Sequence, residues 1–563
     1  MEKLDLSIKG GLSIKDAILI DKIAPRAQEE YNQFIGQVVR MNKLGSLHLL
    51  LTACSRNPFH SVILPFLCRV LLLEEKLKKG DKITLIIAEN PLMSTIIFSI
   101  LDKFNQKIPI KIKQKYPHTL LTFLGLIKFL KSSYWIVISW LWPRLTKVYK
   151  KRPKAPIVFV DNFIFPNSFN KEGGFVERYY TGYGRYLSSE QRQTVWYSPT
   201  LFGFKTLGQC IKMSIQSKKS RHNFLFQESW LTLYDYIYAL YLTAVLPFKV
   251  NNSPLFMGCD IHQLLIFEAK KDIFSPSLAM SICKFRFIKN LRKAGVEICQ
   301  VVDWHENQDI DKALNLAFHK YYPDVTVKGY QGHVSPSYET HKVPQEYEID
   351  NGTLPNQLHV ISESYKKTVL DSCPGLDVRV ASAFRFTYLY DVKRKKLVTG
   401  MPTILIALPM DIDESISILN TCSQLHLLAD TKIRILVKHH PAHESHTFIK
   451  QVPAFGNDTF TPTSDSMLDL LGSISLLISS ASSACAEAAS LGIPVAVYGS
   501  RYGVTMSPIA NDINGFLNNV FYSENQLIEF IQLYLGMSGD NSSIERDFYM
   551  DNGESAQALF SCE

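Results

Sequence analysis

An α/β chain of two doubly wound, parallel-sheet domains is what this sequence predicts, on three observations. Short apolar runs of strand length alternate with helical patterns along most of the chain. Several of these runs end on polar residues that lead into loops, as at Asp161 and Asn162 after 156–160 and at Asp303 after 297–302, which is how an open parallel sheet presents its ligand edge. The chain of 563 residues is also too long for one ordinary domain.

Taken in order, 46–51 is a short apolar run, 82–88 (KITLIIA) reads as a buried parallel strand, and 156–160 (PIVFV) and 297–302 (EICQVV) as two more. Residues 203–255 read as mostly helical and aromatic-rich. There Trp230, Tyr234, Tyr238 and Tyr241 recur at helical spacing, a pattern read as packing. Over 335–357 apolar periodicity fades among Pro, Gly and Asn, so the crossing between domains is placed there. This gives an N-terminal domain of 1–345, a C-terminal domain of 346–540 and a tail of 541–563, read as a final helix or frayed. Beyond the crossing, strands at 358–362, 377–381, 403–408, 433–438, 475–479 and 494–498 alternate with helices at 413–428 and 482–491, the rhythm of a parallel sheet covered on both faces.

Hydrophobic residues make up 46% and charged residues 20%, which excludes a disordered chain. The formal charge of +9 favours acidic partners: nucleic acid, anionic lipid or phosphorylated substrates. No helix-turn-helix, RNA-binding signature or repeat is present in the sequence, so nucleic acid is set aside. Ten cysteines are scattered without C-x-x-C pairs or zinc spacing, and read as reduced, buried thiols of a cytosolic protein. The N-terminus, MEKLDLSIKGG, has no signal-peptide core, which adds to a cytoplasmic expectation.

Residues 120–142 (LLTFLGLIKFLKSSYWIVISWLW) are long enough to span a bilayer but are interrupted by Lys128, Lys131, Ser132 and Ser133. Thr122, Gly125, Lys128, Lys131 and Ser132 recur every three to four residues, one polar stripe on an apolar helix. Basic residues flank it, among them Lys111, Lys113 and Lys115 before and Arg144, Lys147, Lys150, Lys151, Arg152 and Lys154 after. Three roles fit the segment 120–154: an interfacial helix docked on an anionic membrane surface, a core helix followed by a solvated basic loop, or a true transmembrane span.

Three motifs carry chemistry in the C-terminal half. Lys438-His439-His440-Pro441 follows the run IRILV, and a histidine at the carboxyl end of a parallel strand can donate to a phosphate oxygen, more strongly when protonated. Pro441 stops the strand and aims the preceding side chain. Ser479-Ser480-Ala481-Ser482-Ser483 lies between a strand and a helix, where hydroxyls and free N–H groups either cap the helix or bind an anion. Glu487 stands one turn into that helix, which Gly492 ends and after which Pro494 opens the next strand. Together, Glu487 to Val495 (EAASLGIPV) fill the pattern E-A-x-x-x-G-x-P-V, which resembles the donor-nucleotide helix of GT-B glycosyltransferases.

The resemblance implies a GT-B fold, two Rossmann-like domains facing a central cleft, with Glu487 holding the ribose. The His-Pro motif and the serines also resemble those of bacterial polysialyltransferases, sialyltransferases and capsule Kdo transferases, which implies that His440 and Ser482 or Ser483 contact the phosphate of a CMP-sugar. Teichoic-acid glycerophosphotransferases look similar at the same positions. The resemblance covers roughly 400–500.

Acceptor and catalytic residues are expected in the N-terminal half. Asp303-Trp304-His305-Glu306-Asn307-Gln308 follows the run EICQVV, and Glu306 is the candidate general base. The helix after it reads as capped by Asp309. Gly329-Tyr330-Gln331-Gly332-His333 lets backbone approach a ligand, with His333 able to donate to a leaving phosphate. Asp260, in Gly258-Cys259-Asp260-Ile261-His262, is a further catalytic candidate, and Lys171-Glu172-Gly173-Gly174 with Glu177 and Arg178 resembles a glycine-rich acceptor loop. Arg385 is expected to pair with donor phosphate or a sugar carboxylate. The Asp309/Asp311 and Asp411/Asp413 pairs have metal-like spacing but sit at helix starts, so no metal and no other required cofactor is expected.

The expected activity is transfer of a sugar from a nucleotide donor to a lipid-linked or polysaccharide acceptor in surface-polysaccharide synthesis, on the inner face of the cytoplasmic membrane. A CMP-activated acidic sugar is favoured, with UDP- and GDP-sugars as alternatives. A nucleotide-sugar epimerase of the same fold, a CDP-alditol phosphotransferase and a non-catalytic assembly protein are the other readings.

Overall fold

The computed structural model describes residues 2–114, 117–148, 152–170, 172, 174–390, 402–423, 425, 433–440, 443, 452, 460–509, 518–535 and 548–562. Pro441, Lys171 and Gly173, three of the residues singled out in the sequence, lie outside them.

Three parallel sheets organise the chain. The first has β1 (Glu2–Asp5), β2 (Ile83–Ala88) and β3 (Ile110–Ile112), in that spatial order. The second has seven strands: β4 (Ile157–Ile164), β5 (Val195–Leu201), β6 (Asn223–Phe224), β7 (Ile298–Trp304), β8 (Thr326–Gln331), β9 (Gln357–Val360) and β10 (Asp377–Val380), ordered β10-β9-β8-β7-β4-β5-β6. The third has β11 (Thr403–Ala407), β12 (Arg434–Lys438), β13 (Phe460–Pro462), β14 (Leu476–Ser479), β15 (Val495–Tyr498) and β16 (Asn518–Phe521), ordered β13-β12-β11-β14-β15-β16. The second and third sheets are the two expected Rossmann-like domains of a GT-B fold. The first is an additional unit, packed with helices Ile14–Met41 and Ile63–Lys78 into the same apolar cluster as one face of the second sheet.

Alternation within strands shows why these runs are apolar throughout. On β4, Ile157 and Phe159 enter the cluster shared with the first sheet, whereas Val158 and Val160 enter another. On β11, Leu405 joins that second cluster while Ile404 and Ile406 face the far side of the third sheet. Both faces of both sheets are therefore buried, which removes the polar-out alternation of a half-exposed strand. One cluster contains residues of both large sheets, so the two domains share apolar contact.

Several expectations are corrected. The chain does not leave the first large domain near 345/346. β9 pairs in parallel with β8, and β10 with β9, so the crossing falls between Tyr390 and Thr403. The loop-like composition of 335–357 reflects a connection inside the domain. The run 46–51 is a 3-10 turn (Ser46–Leu50), its apolar content explained by buried Leu49 and Leu50. β4 continues past Asp161 and Asn162, both of which are buried; Asp161 pairs with Lys284 at 2.7 Å.

In the tail, residues 548–562 are described and contain the final helix, one of the two expected readings. Helix Glu554–Phe560 docks on the seven-stranded sheet. Its Phe560 ring lies 4.2 Å from Tyr183, and the Gln300 amide and Lys328 ammonium donate to the Ala558 carbonyl. Cys562 is disulfide-bonded to Cys299, which corrects the reading of all ten thiols as reduced; the other eight cysteines are free and buried.

Candidate functional site

In each large sheet the chain winds outward in one direction and then, after a switch, in the other. The switch lies between β4 and β7 in the second sheet and between β11 and β14 in the third. Loops leaving adjacent strands diverge at such a point and open a crevice at the carboxyl edge. The loops after β7 and β14 hold the residues around Glu306 and Ser480–Ser483.

At the second sheet's crevice, Glu306 is half-buried and fixed by two donors. Trp304 Nε1–H donates to Oε1 at 2.9 Å and Gln308 Nε2–H to Oε2 at 2.8 Å. Asn307 next to it adopts a left-handed backbone (φ 54°), a conformation asparagine tolerates, and so turns the chain from strand to helix. The helix Asp309–Tyr321 is capped by Gln308, not by the expected Asp309; Asp311 is buried and accepts from the N–H groups of Glu306 and Gln308. Behind the loop, buried Glu348 binds Arg56 at 2.7 Å and Lys312 at 2.8 Å, and Asn307 donates to the His341 carbonyl. This network ties the added N-terminal unit to the loop that carries Glu306.

Burial, reinforced by Asp161, pushes the Asp303 carboxyl well above the usual range, and Asp303 lies 3.0 Å from His305 Nδ1. His333, after β8, is buried against Trp304, and neither ring nitrogen has a hydrogen-bond partner among the described residues. Burial and the neighbouring cations Lys342 and Arg385 hold its imidazole well below the usual value, so it is neutral at pH 7. A neutral imidazole keeps one N–H donor, here buried beside Trp304. Asp260 is exposed and accepts from the His262 N–H at the start of helix His262–Lys270, on the N-terminal unit; it is a turn cap outside the crevice.

At the third sheet's crevice, Ser482 is the N-cap of helix Ser483–Ser490, and Ser483 Oγ–H donates to Glu487 Oε1 at 2.9 Å. Glu487 is 5% exposed, and its other oxygen accepts from the Tyr388 hydroxyl. Ser483 therefore serves Glu487 and does not point a free hydroxyl at an anion, whereas Ser482 stays at the helix start. β12 brings Lys438 and His440 to the same edge, beside the loop after β11. Lys438 Nζ donates to the Asp465 carbonyl, and half-buried His440 has its imidazole lowered by burial and by His443 and His439. Glu414, on the helix opening after β11, is raised to about 7 by burial and by Asp411. Asp411 itself caps that helix, and Asp309 accepts from Ser277.

Tyr388 and Arg385 join the two crevices. Both lie on the short 3-10 segment Phe384–Tyr390, just before the chain crosses to the third sheet. Arg385 is exposed, has no carboxylate partner among the described residues, and acts electrostatically on Tyr179, His333 and Tyr388. Tyr179 also feels Glu306 and packs 4.5 Å from Trp304. Arg385 thus acts both on the tyrosine beside Glu306 and on the tyrosine bonded to Glu487. A neighbouring cavity of about 360 Å³ is lined from the second sheet by Gln331, Glu339 and Lys342 and from the third domain by Ser507. Sequence reasoning missed Tyr388, Glu414 and Lys342, which sit in aperiodic segments or at an ordinary helix start and carry no motif.

No protein-family model and no curated protein matches the chain. Solved structures match it at low identity. UDP-GlcNAc 2-epimerase from Neisseria meningitidis bound to UDP-GlcNAc is 14% identical over 71% of this chain and 98% of its own, with a TM-score of 0.39. S. aureus MnaA in complex with UDP is 11% identical over 72% of this chain and 95% of its own, with a TM-score of 0.40. Acinetobacter baumannii MurG is 10% identical over 72% and 98%, with a TM-score of 0.37.

Proposed function

We propose that the chain is a glycosyltransferase that binds a nucleotide sugar at the third sheet's crevice and an acceptor at the second's. The observation that carries this reading is a fixed carboxylate at the carboxyl edge of each large sheet: Glu306, oriented by two donors, and Glu487, buried with Ser483 and Tyr388, with Arg385 acting on a tyrosine beside each. Glu487 holds the ribose hydroxyls, and Ser482 with the helix N–H groups and His440 holds phosphate. Glu306 deprotonates the acceptor hydroxyl, since a carboxylate held by two N–H donors keeps one fixed direction for the incoming proton. Arg385 stabilises charge leaving with the phosphate, or pairs with a carboxylate on the sugar, for which its planar fork is suited.

The favoured donor is a CMP-activated acidic sugar and the favoured acceptor a lipid-linked or polysaccharide one at a membrane surface; the basic, apolar helix supports the second. Calorimetric titration with CMP, UDP and GDP tests the donor, with His440→Ala and Glu487→Ala beside the parent. CMP binding that both changes abolish supports the reading. Preference for UDP or GDP overturns the donor, and binding of none overturns the transferase.

A further inference from the structure

Two neighbouring helices show an apolar stripe to solvent. On Phe123–Leu145, the side chains of Phe123, Leu126, Leu130, Tyr134 and Val137 recur every three or four residues and are 57–61% exposed. The opposite side is turned into the protein, where Trp135, Ile136 and Trp142 pack and the polar stripe also finds partners. Ser132 Oγ–H donates to the Phe274 carbonyl at 2.9 Å, Lys128 Nζ donates to the Lys271 carbonyl, and Ser139 is buried. Helix Leu233–Val245 repeats the arrangement. Tyr234, Ile237 and Tyr241 are 58–64% exposed and Phe248 beyond them 57%, whereas Asp235 is buried and accepts from Arg286 and Asn290. The helices meet where Trp135 and Tyr236 pack at 5.9 Å.

A helix on a water-exposed surface turns its apolar stripe inward. Single exposed apolar residues are ordinary, but two adjoining stripes form a contiguous patch that implies an occupant. The charges select it. Lys131, Arg144 and Lys249 are exposed beside the patch, and the Arg144 guanidinium lies 4.3 Å over the Trp140 ring. No Asp or Glu occurs from 117 to 160, and the one acid from 230 to 259 is the buried Asp235. Tyrosines and a tryptophan at the edge suit the headgroup layer. The first helix is packed lengthwise, with Trp142 5.5 Å from Phe226, and so lies flat on the domain.

We propose that this two-helix face rests on an anionic lipid bilayer, with both helices in the plane of the interface. The proposal rests on the membrane-surface part of the proposed function and on none of its nucleotide chemistry. Behind the platform, a cavity of about 320 Å³ runs from Lys128 and Lys271 to Asn307 and Gln308, the loop of Glu306. Asn307 Oδ1 and His341 Nδ1 line it, buried and without hydrogen-bond partners among the described residues. A polar acceptor head anchored in the bilayer would have its path to Glu306 there.

The test is flotation of the full chain with vesicles of phosphatidylcholine alone or with added phosphatidylglycerol, at low and high salt. The parent should float with the anionic vesicles, less at high salt. Leu130→Glu with Ile237→Glu should lower partitioning at least about tenfold, and Lys131→Glu with Lys249→Glu at least about fivefold on anionic vesicles alone. Unchanged thermal unfolding by circular dichroism shows that the variants fold. Failure of the parent to float, flotation unaffected by the double glutamates, or a concentration-dependent dimer that they abolish would each overturn the proposal. Loss of nucleotide binding in calorimetry with flotation intact would sink the transferase and leave the platform standing.

Discussion

Glu487 offers the sharpest test of the nucleotide site, because its environment is known on both oxygens. Ser483 donates to Oε1 and Tyr388 to Oε2, and the carboxylate is almost fully buried. If it also receives two ribose hydroxyls, each such bond to a charged group contributes about 1.5–3 kcal/mol. Glu487→Ala then costs roughly 3–6 kcal/mol of nucleotide affinity, about two to four orders of magnitude in Kd. Glu487→Gln keeps one acceptor and loses the charge, so about one order of magnitude is expected. Tyr388→Phe separates two versions of the site. The Tyr388 hydroxyl occupies the lone pair a ribose would use, so its removal should leave affinity unchanged or improve it. Calorimetry with the nucleotide that binds the parent reads all three. Parent-like affinity in Glu487→Ala, with the fold intact by circular dichroism, would refute the ribose role.

Three further outcomes follow from the same geometry. Glu306→Gln should lower kcat by about 10²–10⁴ while nucleotide affinity stays within error, read by release of the donor nucleotide; a matched loss of affinity would argue against a base. Glu348→Gln should lower stability by about 3–5 kcal/mol in chemical denaturation, because Arg56 and Lys312 are then buried with a neutral partner. His333 and His341 are both held well below 6.5 by burial and nearby cations, so the unfolded chain takes up protons near pH 6.5 that the folded chain refuses until much lower. Stability is therefore fully present above pH 6.5 and falls as pH drops below it, and replacing both with Gln should flatten that fall in thermal unfolding.

The architecture was legible where the physics is local. Runs buried on both faces are apolar whatever their partners, so 82–88, 403–408, 433–438 and 475–479 read correctly as strands. The helix with Glu487 was legible because Gly492, with its left-handed backbone (φ 69°), and Pro494 close it with steric signals that few other residues give. The domain boundary was not legible. Strands β9 and β10 belong to the first large sheet through pairing partners distant in sequence, and composition between them carries no record of that.

The candidate site divides in the same way. Sequence by itself determined residue types at strand ends: Glu306 after β7, His440 after β12, and the serines after β14. Only tertiary structure decided their states. His333 became a buried, neutral ring because Trp304, Lys342 and Arg385 converge on it from separate elements. Asp260 was left on the N-terminal unit as a turn cap, and Tyr388 was brought to Glu487 across 99 residues. The apolar stripe at 123–137 is written in the sequence, but which face it shows to solvent was decided by Phe274 and Lys271 accepting the polar stripe from the other side. Periodicity fixes that a helix has two faces; only its neighbours fix which one is turned inward.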